Sequence, residues 1–283
     1  MFTSIDHNNS DLIVSEVFQK GSTTYFYSSR FFPLHIRLKV SRLYAFVRVA
    51  DNFVDSVPQQ VDKFYNFKNE YERALKRGFS DDIIINKFID LKNDVGIDDS
   101  WVDAFLNAME SDINKKIYYT VPELLSYIYG SAEVIGLMMA RILDLDNRSY
   151  PYARMLGRAM QYLNFIRDFS EDLSMGRIYL PLEFTEINDF SYENVIKNIE
   201  AFNLFIRKNL NVYFSWNKQA AKGFRYIKYR YLVPIKTASD MYLWTGKIIY
   251  RNPMIVYKSK VKPGKRLIRG RGIYNLIGAL RWI

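Results

Sequence analysis

The chain has 283 residues, a length that allows one or two domains. Hydrophobic residues make up 49% of it, which excludes a disordered chain, and the absence of cysteine excludes disulfides, thiolate catalysis and cysteine-bound metals. With only His7 and His35, a histidine-rich metal site is excluded and a Ser-His-Asp triad is disfavoured. The formal net charge of +10 lies in the last 43 residues, which hold ten Lys or Arg and, after Asp240, no acidic residue.

Apolar residues recur at three- and four-residue spacing over about 36–57, 121–143, 150–173 and 192–217, which predicts helices. Glycine or proline is expected to break these segments, for example at Pro33, Pro122, Pro151 and Pro234. Strand-like alternation is scarce. The pattern therefore predicts one all-α domain over residues 1–283, with a weak candidate boundary at a basic tail of about 258–283.

No apolar run approaches the roughly 18 residues that span a membrane, and the N-terminus lacks the pattern of a secretory signal. We therefore expect a soluble, cytoplasmic chain. The basic tail is compatible with a solvated surface, with an anionic membrane face or with nucleic acid. The chemistry below favours peripheral membrane association over nucleic acid, which is not expected as a partner.

A first polar stripe follows one predicted helix. Asp51 and Asp55 are four residues apart and share a face, which Arg48 and Tyr44 extend toward the N-terminus. The other faces are apolar, which indicates a buried helix. Two carboxylates at this spacing repel each other, so the pKa of one should rise unless a cation lies between them.

A second stripe recurs at the same spacing on another apolar helix. Its members are Gly157, Gln161, Asn164, Asp168 and Asp172. A single Asp-xxx-Asp pair is usually solvated surface, but two such helices favour carboxylates that converge across a cavity. Such oxygen ligands suit Mg²⁺, completed by substrate phosphates, and Arg48 and Arg167 could then hold diphosphate oxygens.

At these residues the sequence resembles the squalene/phytoene synthase family. YAFVRVADNFVD (44–55) is similar to the first aspartate motif of the family, and QYLNFIRDFSEDLSMGRIYLP (161–181) to the second motif with its arginine-containing exit loop. GSTTY (21–25) resembles the serine-rich segment that contacts diphosphate, with Thr24 where Ser is common. YIYGSAEVIG (127–136) resembles the helix that lines the prenyl tunnel. The resemblance covers about residues 15–255.

The resemblance implies an isoprenoid-synthase helical bundle around a central prenyl-binding cavity. It implies Mg²⁺ as cofactor, with Mn²⁺ left open, and as metal ligands Asp51, Asp55, Asn164, Asp168 and Asp172. It implies catalytic roles for Tyr44, Arg48 and Tyr127. Substrate contacts are implied for Ser22, Thr24, Tyr25, Ser29, Gln161, Arg167, Arg177 and Tyr179, of which the last two would belong to a flap.

Departures from the family and plainer interpretations stay open. Asn52 stands where many members have Asp, and Ser131 and Glu133 replace the usual Val and Gly of the tunnel helix. Glu133 is expected to point outward. Arg167 could form an ordinary helix ion pair with Glu171. Tyr127 could be a core tyrosine, and the glycines at 130, 136 and 157 could serve helix packing alone.

The resemblance also implies a two-step condensation of two isoprenoid diphosphates through a cyclopropylcarbinyl diphosphate. The favoured product is phytoene from two geranylgeranyl diphosphates, because the motifs look closest to phytoene synthases and Ser29 leaves the tunnel long. The alternative is squalene or dehydrosqualene from two farnesyl diphosphates. No dinucleotide fingerprint is seen, so NADPH is not expected. A second alternative is a non-catalytic, basic membrane-surface protein.

Overall fold

The computed structural model describes the backbone of residues 3–280 and the side chains of residues 10–278. Within this part the chain forms fifteen α-helices, and the only extended pairing is an isolated bridge between Ile117 and Ile178. The helices are α1 (Thr3–Gly21), α2 (Thr23–Ser29), α3 (Leu34–Asp55), α4 (Val61–Arg77), α5 (Ile83–Val95), α6 (Asp99–Asn114), α7 (Val121–Ile128), α8 (Val134–Ile142), α9 (Tyr150–Arg167), α10 (Phe169–Ser174), α11 (Tyr192–Lys197), α12 (Ile199–Ala220), α13 (Tyr229–Arg251), α14 (Ile255–Lys258) and α15 (Lys265–Leu280). The prediction of an all-α fold is confirmed.

Most helix limits follow from local signals. α7 begins with a capping box. The Thr120 side chain accepts a hydrogen bond from the Glu123 backbone N–H, and the Glu123 carboxylate accepts one from the Thr120 backbone N–H. Pro122 occupies the first turn of the helix. Pro33 and Pro151 likewise lie at helix starts. The predicted break at Pro234 is wrong, because this proline lies inside α13, where it is buried in the helix packing. Burial there outweighs the one backbone hydrogen bond that a proline removes.

The predicted helix over 121–143 is interrupted by a π-helical turn at Tyr129–Glu133. This turn and α8 pack directly on α9 at two glycines. A Cβ at Gly136 would lie 2.2 Å from the Ala153 carbonyl oxygen, and one at Gly157 would lie 2.3 Å from that of Ala132. Both glycines therefore permit close helix contact, as the packing interpretation predicted, although both also line the cavity described below.

α3 and α9 form the centre of the bundle, with α1 packed against α3 and α12 against α9. Aromatic side chains fill the core between the helices. On the α3 side, Phe46 stacks on Phe88 of α5, with ring centroids 3.9 Å apart. On the α9 side, Tyr162 meets the indole ring of Trp216 from α12 edge-on. These contacts fix the two helices that carry the aspartate motifs.

The basic tail does not stand apart from the helical body. Residues 259–264 are not helical, and α15 then packs on α13 and α2. The single-domain organisation stays a prediction. Among the described helices, none is both long and apolar enough to cross a bilayer.

Candidate active site

An apolar cavity that is open to solvent at its mouth lies between the helices of the bundle. Its walls come from α2, α3, the π-helical turn, α8, α9, α13 and residues 220–227. Along α9 the lining changes from Tyr152 and Leu156 to Gln161 and Asn164. The polar end therefore lies toward the C-termini of α3 and α9, where the aspartate motifs follow, and the apolar end lies near residues 223–227.

The two carboxylates of the first motif, Asp51 and Asp55, lie in the last turn and a half of α3, and the final turn contains no Lys or Arg. Carboxylates at a helix C-terminus face the negative end of the macrodipole, so they call for cations from elsewhere. Arg48 Nη1 donates to Asp51 Oδ2 at 2.6 Å. Arg177 Nη1 donates to Asp55 Oδ1 at 2.6 Å, across 122 positions of sequence.

The second motif spans the junction of α9 and α10. Arg167 binds Asp168 through two hydrogen bonds of 2.7 and 2.6 Å, and Lys260 approaches the same carboxylate at 3.2 Å. Glu171 pairs with Lys260. The alternative of an Arg167–Glu171 ion pair is therefore wrong. Asp172 forms no ion pair with any described side chain.

The carboxylates of the two motifs are close enough to repel one another. Desolvation raises the pKa of Asp51 to about 7, repulsion by Asp55 adds to the shift, and Arg48 opposes it. Desolvation also raises the pKa of Asp172 to about 8, with further repulsion from Asp168 and from Asp55 of the opposite helix. The arginines therefore neutralise this cluster only in part.

Arg48, Arg167 and Arg177 were predicted to contact substrate. In this structure each of them binds an aspartate of the two motifs. Arg177 is 3% exposed and also donates from Nη2 to the Val54 carbonyl, so it holds the loop after α10 against the end of α3. A diphosphate could bind these guanidinium groups only if other cations replaced them beside the carboxylates.

Two oxygen atoms beside the motifs are free to bind a divalent cation. The Oδ1 atom of Asn164 is buried and accepts no hydrogen bond from the residues that the structure describes, whereas its Nδ2 donates to Gln161. Together with the unpaired Asp172, it supplies the uncommitted oxygen donors that Mg²⁺ takes. Within the described part of the chain, however, no three acidic side chains are grouped closely enough to hold a metal as they stand. The predicted convergence of four carboxylates on a ready-made metal site is thus not found.

Sequence reasoning missed Asp112 of α6. Its carboxylate is 2% exposed and accepts hydrogen bonds from the hydroxyls of Tyr127 and Tyr179, the latter at 2.9 Å. Burial raises its pKa to about 6, against the effect of these bonds and of Arg177. Asp112 thereby fixes two tyrosines at the polar end of the site. A lone Asp on α6 gives no signal in the sequence, since only the fold brings it there.

Tyr127 is buried and is not among the residues that line the cavity. Its ring stacks on that of Tyr179, with centroids 5.5 Å apart, and Tyr179 stacks on Phe165 at 4.3 Å. Burial raises the pKa of the Tyr127 hydroxyl well above its usual value, and Asp112 adds to this shift. The hydroxyl therefore stays protonated and serves as a donor.

The N-terminal candidates lie along α2 and beside it. Ser22 caps α2 by accepting from the Tyr25 backbone at 3.2 Å. Thr24 occupies the second position of the helix and is half-buried. Tyr25 and Ser29 both line the cavity, where the Tyr25 hydroxyl meets the Met160 sulfur at 3.3 Å and the Ser29 hydroxyl bonds back to the Phe26 carbonyl at 2.8 Å. Tyr44 also lines the cavity.

Glu133 points away from the cavity, as expected, but it is buried between helices rather than exposed to solvent. It is 1% exposed, at the end of the π-helical turn, and accepts from Arg154 Nε at 2.8 Å and Arg158 Nε at 2.6 Å. The sequence could not show this, because both arginines come from the neighbouring helix α9. Glu133 is not among the residues that line the cavity.

Comparisons with known proteins show the family of this chain. The family model described as squalene/phytoene synthase matches residues 18–266. The chain is 27% identical to a 15-cis-phytoene synthase of Enterobacter agglomerans over 242 residues, 80% of this chain and 81% of that protein. It is also 27% identical to a 4,4'-diapophytoene synthase of Staphylococcus haemolyticus over 182 residues, which is 62% of this chain and 63% of that one.

Solved structures share the fold at low sequence identity. A dehydrosqualene synthase in complex with ligand superposes with a TM-score of 0.79 at 18% identity, covering 98% of this chain and 97% of the other. The squalene synthase HpnC from Alicyclobacillus acidocaldarius gives a TM-score of 0.76 at 18% identity, covering 88% and 96%.

An all-α bundle around an apolar cavity, with two aspartate motifs facing each other at one end, defines a prenyltransferase of the isoprenoid-synthase fold. The chain belongs to the squalene/phytoene synthase family, whose members join prenyl chains head to head.

Proposed function

We propose that the protein is a phytoene synthase, which condenses two geranylgeranyl diphosphates in carotenoid biosynthesis with Mg²⁺, or Mn²⁺ in its place, and without NADPH. The observation that carries this proposal is the apolar cavity joined to two facing aspartate motifs. Relatives named phytoene synthase that match about four fifths of the chain support the choice of product.

The divalent cation, when bound, would neutralise the departing diphosphate. Asp51, Asp55, Asp168, Asp172 and Asn164 would hold it. The structural argument is that Asp172 and the Asn164 oxygen lack partners while desolvation raises the pKa of Asp51 and Asp172.

In the first half-reaction the C1–O bond of one substrate breaks and its diphosphate leaves. The allylic cation is attacked by the double bond of the second molecule, and loss of a proton closes a cyclopropylcarbinyl diphosphate. Arg48 and Arg167, beside the carboxylates, would stabilise the departing charge. In the second half-reaction the remaining diphosphate leaves, and the rearranged cation loses a proton.

The chain's own residues also protect these cations. The cavity walls exclude water, which would otherwise capture a carbocation. The rings of Tyr44 and Tyr25 would stabilise positive charge with their π faces, since both line the cavity near its polar end. Arg177 and Tyr179 would close the site from the loop after α10.

A competition experiment tests which length of prenyl chain the cavity accepts. Equal concentrations of geranylgeranyl and farnesyl diphosphate are offered with Mg²⁺, and the extracted hydrocarbons are separated by mass. We expect the forty-carbon product to dominate. A dominant thirty-carbon product would instead support the alternative, a squalene or dehydrosqualene synthase.

The expected partners are the isoprenoid diphosphates. We also propose that the basic C-terminal region associates peripherally with a membrane, because a hydrocarbon product needs an apolar phase and this region carries cations without compensating acids.

A further inference from the structure

α15 buries one large apolar side chain, Ile268, which packs with Tyr27 and Met241. On its inner side, Arg271 donates to Asp240 at 2.7 Å, and Asn275 donates to Thr237 Oγ1 at 3.1 Å and to Asp240 at 3.0 Å. Ile273, Tyr274 and Ile277, which are 52–64% exposed, lie on the other side. Leu267 and Leu276, each 41% exposed, lie at its edges. A surface helix normally buries its apolar stripe, so folding of this chain does not account for that outer side.

The surface around these apolar residues is strongly basic. From Ala201 to the C-terminus the sequence holds 18 Lys or Arg and one acidic residue, Asp240, which is already bound by Lys236 and Arg271. None of the exposed cations in residues 222–230 and 265–269 pairs with an acidic side chain in the part of the chain that the structure describes. They are Lys222, Arg225, Lys228, Arg230, Lys265, Arg266 and Arg269.

A second segment joins this surface. The Tyr229 hydroxyl donates to the Leu276 carbonyl at 2.7 Å, so the start of α13 lies beside the last turns of α15. Residues 224–231 read FRYIKYRY, in which aromatic and basic residues alternate. Tyrosine has an apolar body and a polar tip, which suits a boundary between lipid and water. We call residues 222–231 and the outer side of α15 the basic-apolar face.

The apolar end of the cavity lies under this face. Gly223, Phe224 and Ile227 belong to the face and also line the cavity. A Cβ at Gly223 would lie 2.3 Å from Tyr152, which is twelve residues from Asn164 on α9. At 1.5 Å per residue, this end is about 18 Å from the polar end.

We propose that the basic-apolar face docks the protein on an anionic lipid bilayer, and that the hydrocarbon product leaves the cavity through its apolar end into that bilayer. The exit of product into the bilayer rests on the proposed function, because only a product without diphosphate needs an apolar acceptor. Anionic lipid attracts each exposed Lys or Arg, and the membrane interface covers the exposed isoleucines.

Other occupants fit the face less well. Two copies would bring like charges together, which opposes self-association. Nucleic acid would satisfy the cations, but its phosphate backbone would leave the apolar side chains of α15 uncovered.

The test is co-sedimentation of the full chain with vesicles of roughly 3:1 phosphatidylcholine to phosphatidylserine and with phosphatidylcholine alone. We expect binding to the anionic vesicles only. Ile273→Glu/Ile277→Glu should weaken it by about tenfold or more, and Lys222→Gln/Lys228→Gln by about tenfold.

The matched controls are Ile196→Glu/Leu204→Glu, which change the charge equally at exposed apolar sites of α11 and α12, and Lys63→Gln/Lys76→Gln on α4. Both controls should bind as the unmodified protein does. Absence of vesicle binding, or equal loss in face and control variants, would overturn the docking proposal. So would binding to duplex DNA that anionic vesicles fail to displace, or a dimer that dissociates in the Ile273→Glu/Ile277→Glu variant.

A second readout separates docking from catalysis. In detergent micelles the face variants should release diphosphate at the unmodified rate, whereas added anionic vesicles should raise steady-state turnover of the unmodified protein only. If vesicles bind but no diphosphate is released, the proposed function fails and docking stands. If turnover is normal and vesicles neither bind nor stimulate it, docking fails and the function stands.

Discussion

Arg177 donates to Asp55 at 2.6 Å and to the Val54 carbonyl at 2.6 Å, and so ties the loop after the second aspartate motif to the end of the first. Arg177 and Asp55 are 122 positions apart in sequence, and the guanidinium of Arg177 is almost completely buried. One side chain thus holds a wall of the site and neutralises one of its carboxylates.

Replacing Arg177 with Lys should therefore lower both turnover and stability. Lysine keeps the charge but cannot bind Asp55 and Val54 at once with a planar fork. We expect kcat/KM to fall by about tenfold or more, with a loss of about 1–3 kcal/mol in the free energy of unfolding. Steady-state kinetics and urea unfolding measure both. Unchanged kinetics would show that the loop contact has no role in the reaction.

Asp172→Asn should abolish turnover without destabilising the protein. The carboxylate has no ion-pair partner among the described side chains, and desolvation raises its pKa to about 8, so its negative charge is unfavourable in the folded state. We expect thermal stability equal to or above that of the unmodified protein and a loss of the protection that Mg²⁺ with diphosphate gives. Asp81→Asn, at an exposed position, is the control. Turnover that survives in Asp172→Asn would remove this residue from the site.

Asp112 predicts a specific pH dependence of stability. Its pKa of about 6 in the folded state lies above the roughly 3.9 of an unfolded chain, so the folded state keeps the proton longer. The contribution of Asp112 to stability therefore falls as pH rises from about 4 through 6 and is constant above that range.

Asp112→Asn should remove this dependence. The variant loses about 1–3 kcal/mol at low pH, because one oxygen cannot accept from both tyrosines. Its deficit should then shrink by about 1–3 kcal/mol as pH rises to 7. Urea unfolding across this range measures the difference. Parallel stability curves for the two proteins would contradict the assigned pKa.

Ser29 is expected to set the length of the prenyl chain that the cavity accepts. Its side chain is 3% exposed and lines the cavity. Ser29→Phe should raise the ratio of thirty- to forty-carbon product by about tenfold or more, and Ser29→Val should give an intermediate ratio and perturb folding less. A ratio that does not change with side-chain volume would show that the chain end lies elsewhere.

Glu133→Gln tests whether the buried glutamate serves structure alone. Removing its charge leaves Arg154 and Arg158 without their carboxylate, which should cost about 2–4 kcal/mol of stability. Because Glu133 does not line the cavity, the product distribution of the folded variant should not change. A shifted distribution would instead connect this residue to the tunnel.

Helical periodicity places Asp51 beside Asp55, because side chains four apart share a helix face, and the two carboxylates do repel each other in the structure. It could not supply the contacts made between distant elements. Asp112 reaches Tyr127 and Tyr179 only through the packing of α6, and Glu133 meets arginines from another helix. Pro234 was misjudged because local propensity yields to burial in α13. The ion pairs of Arg48, Arg167 and Arg177 also depend on what else the site holds.

The most direct test of the central claim is to supply the purified protein with Mg²⁺ and geranylgeranyl diphosphate in the absence of NADPH, with Asp51→Ala as the matched control. The proposal predicts a forty-carbon hydrocarbon and two diphosphates released per product from the unmodified protein, and neither from the variant. No hydrocarbon from geranylgeranyl diphosphate, or equal product from both proteins, would contradict it.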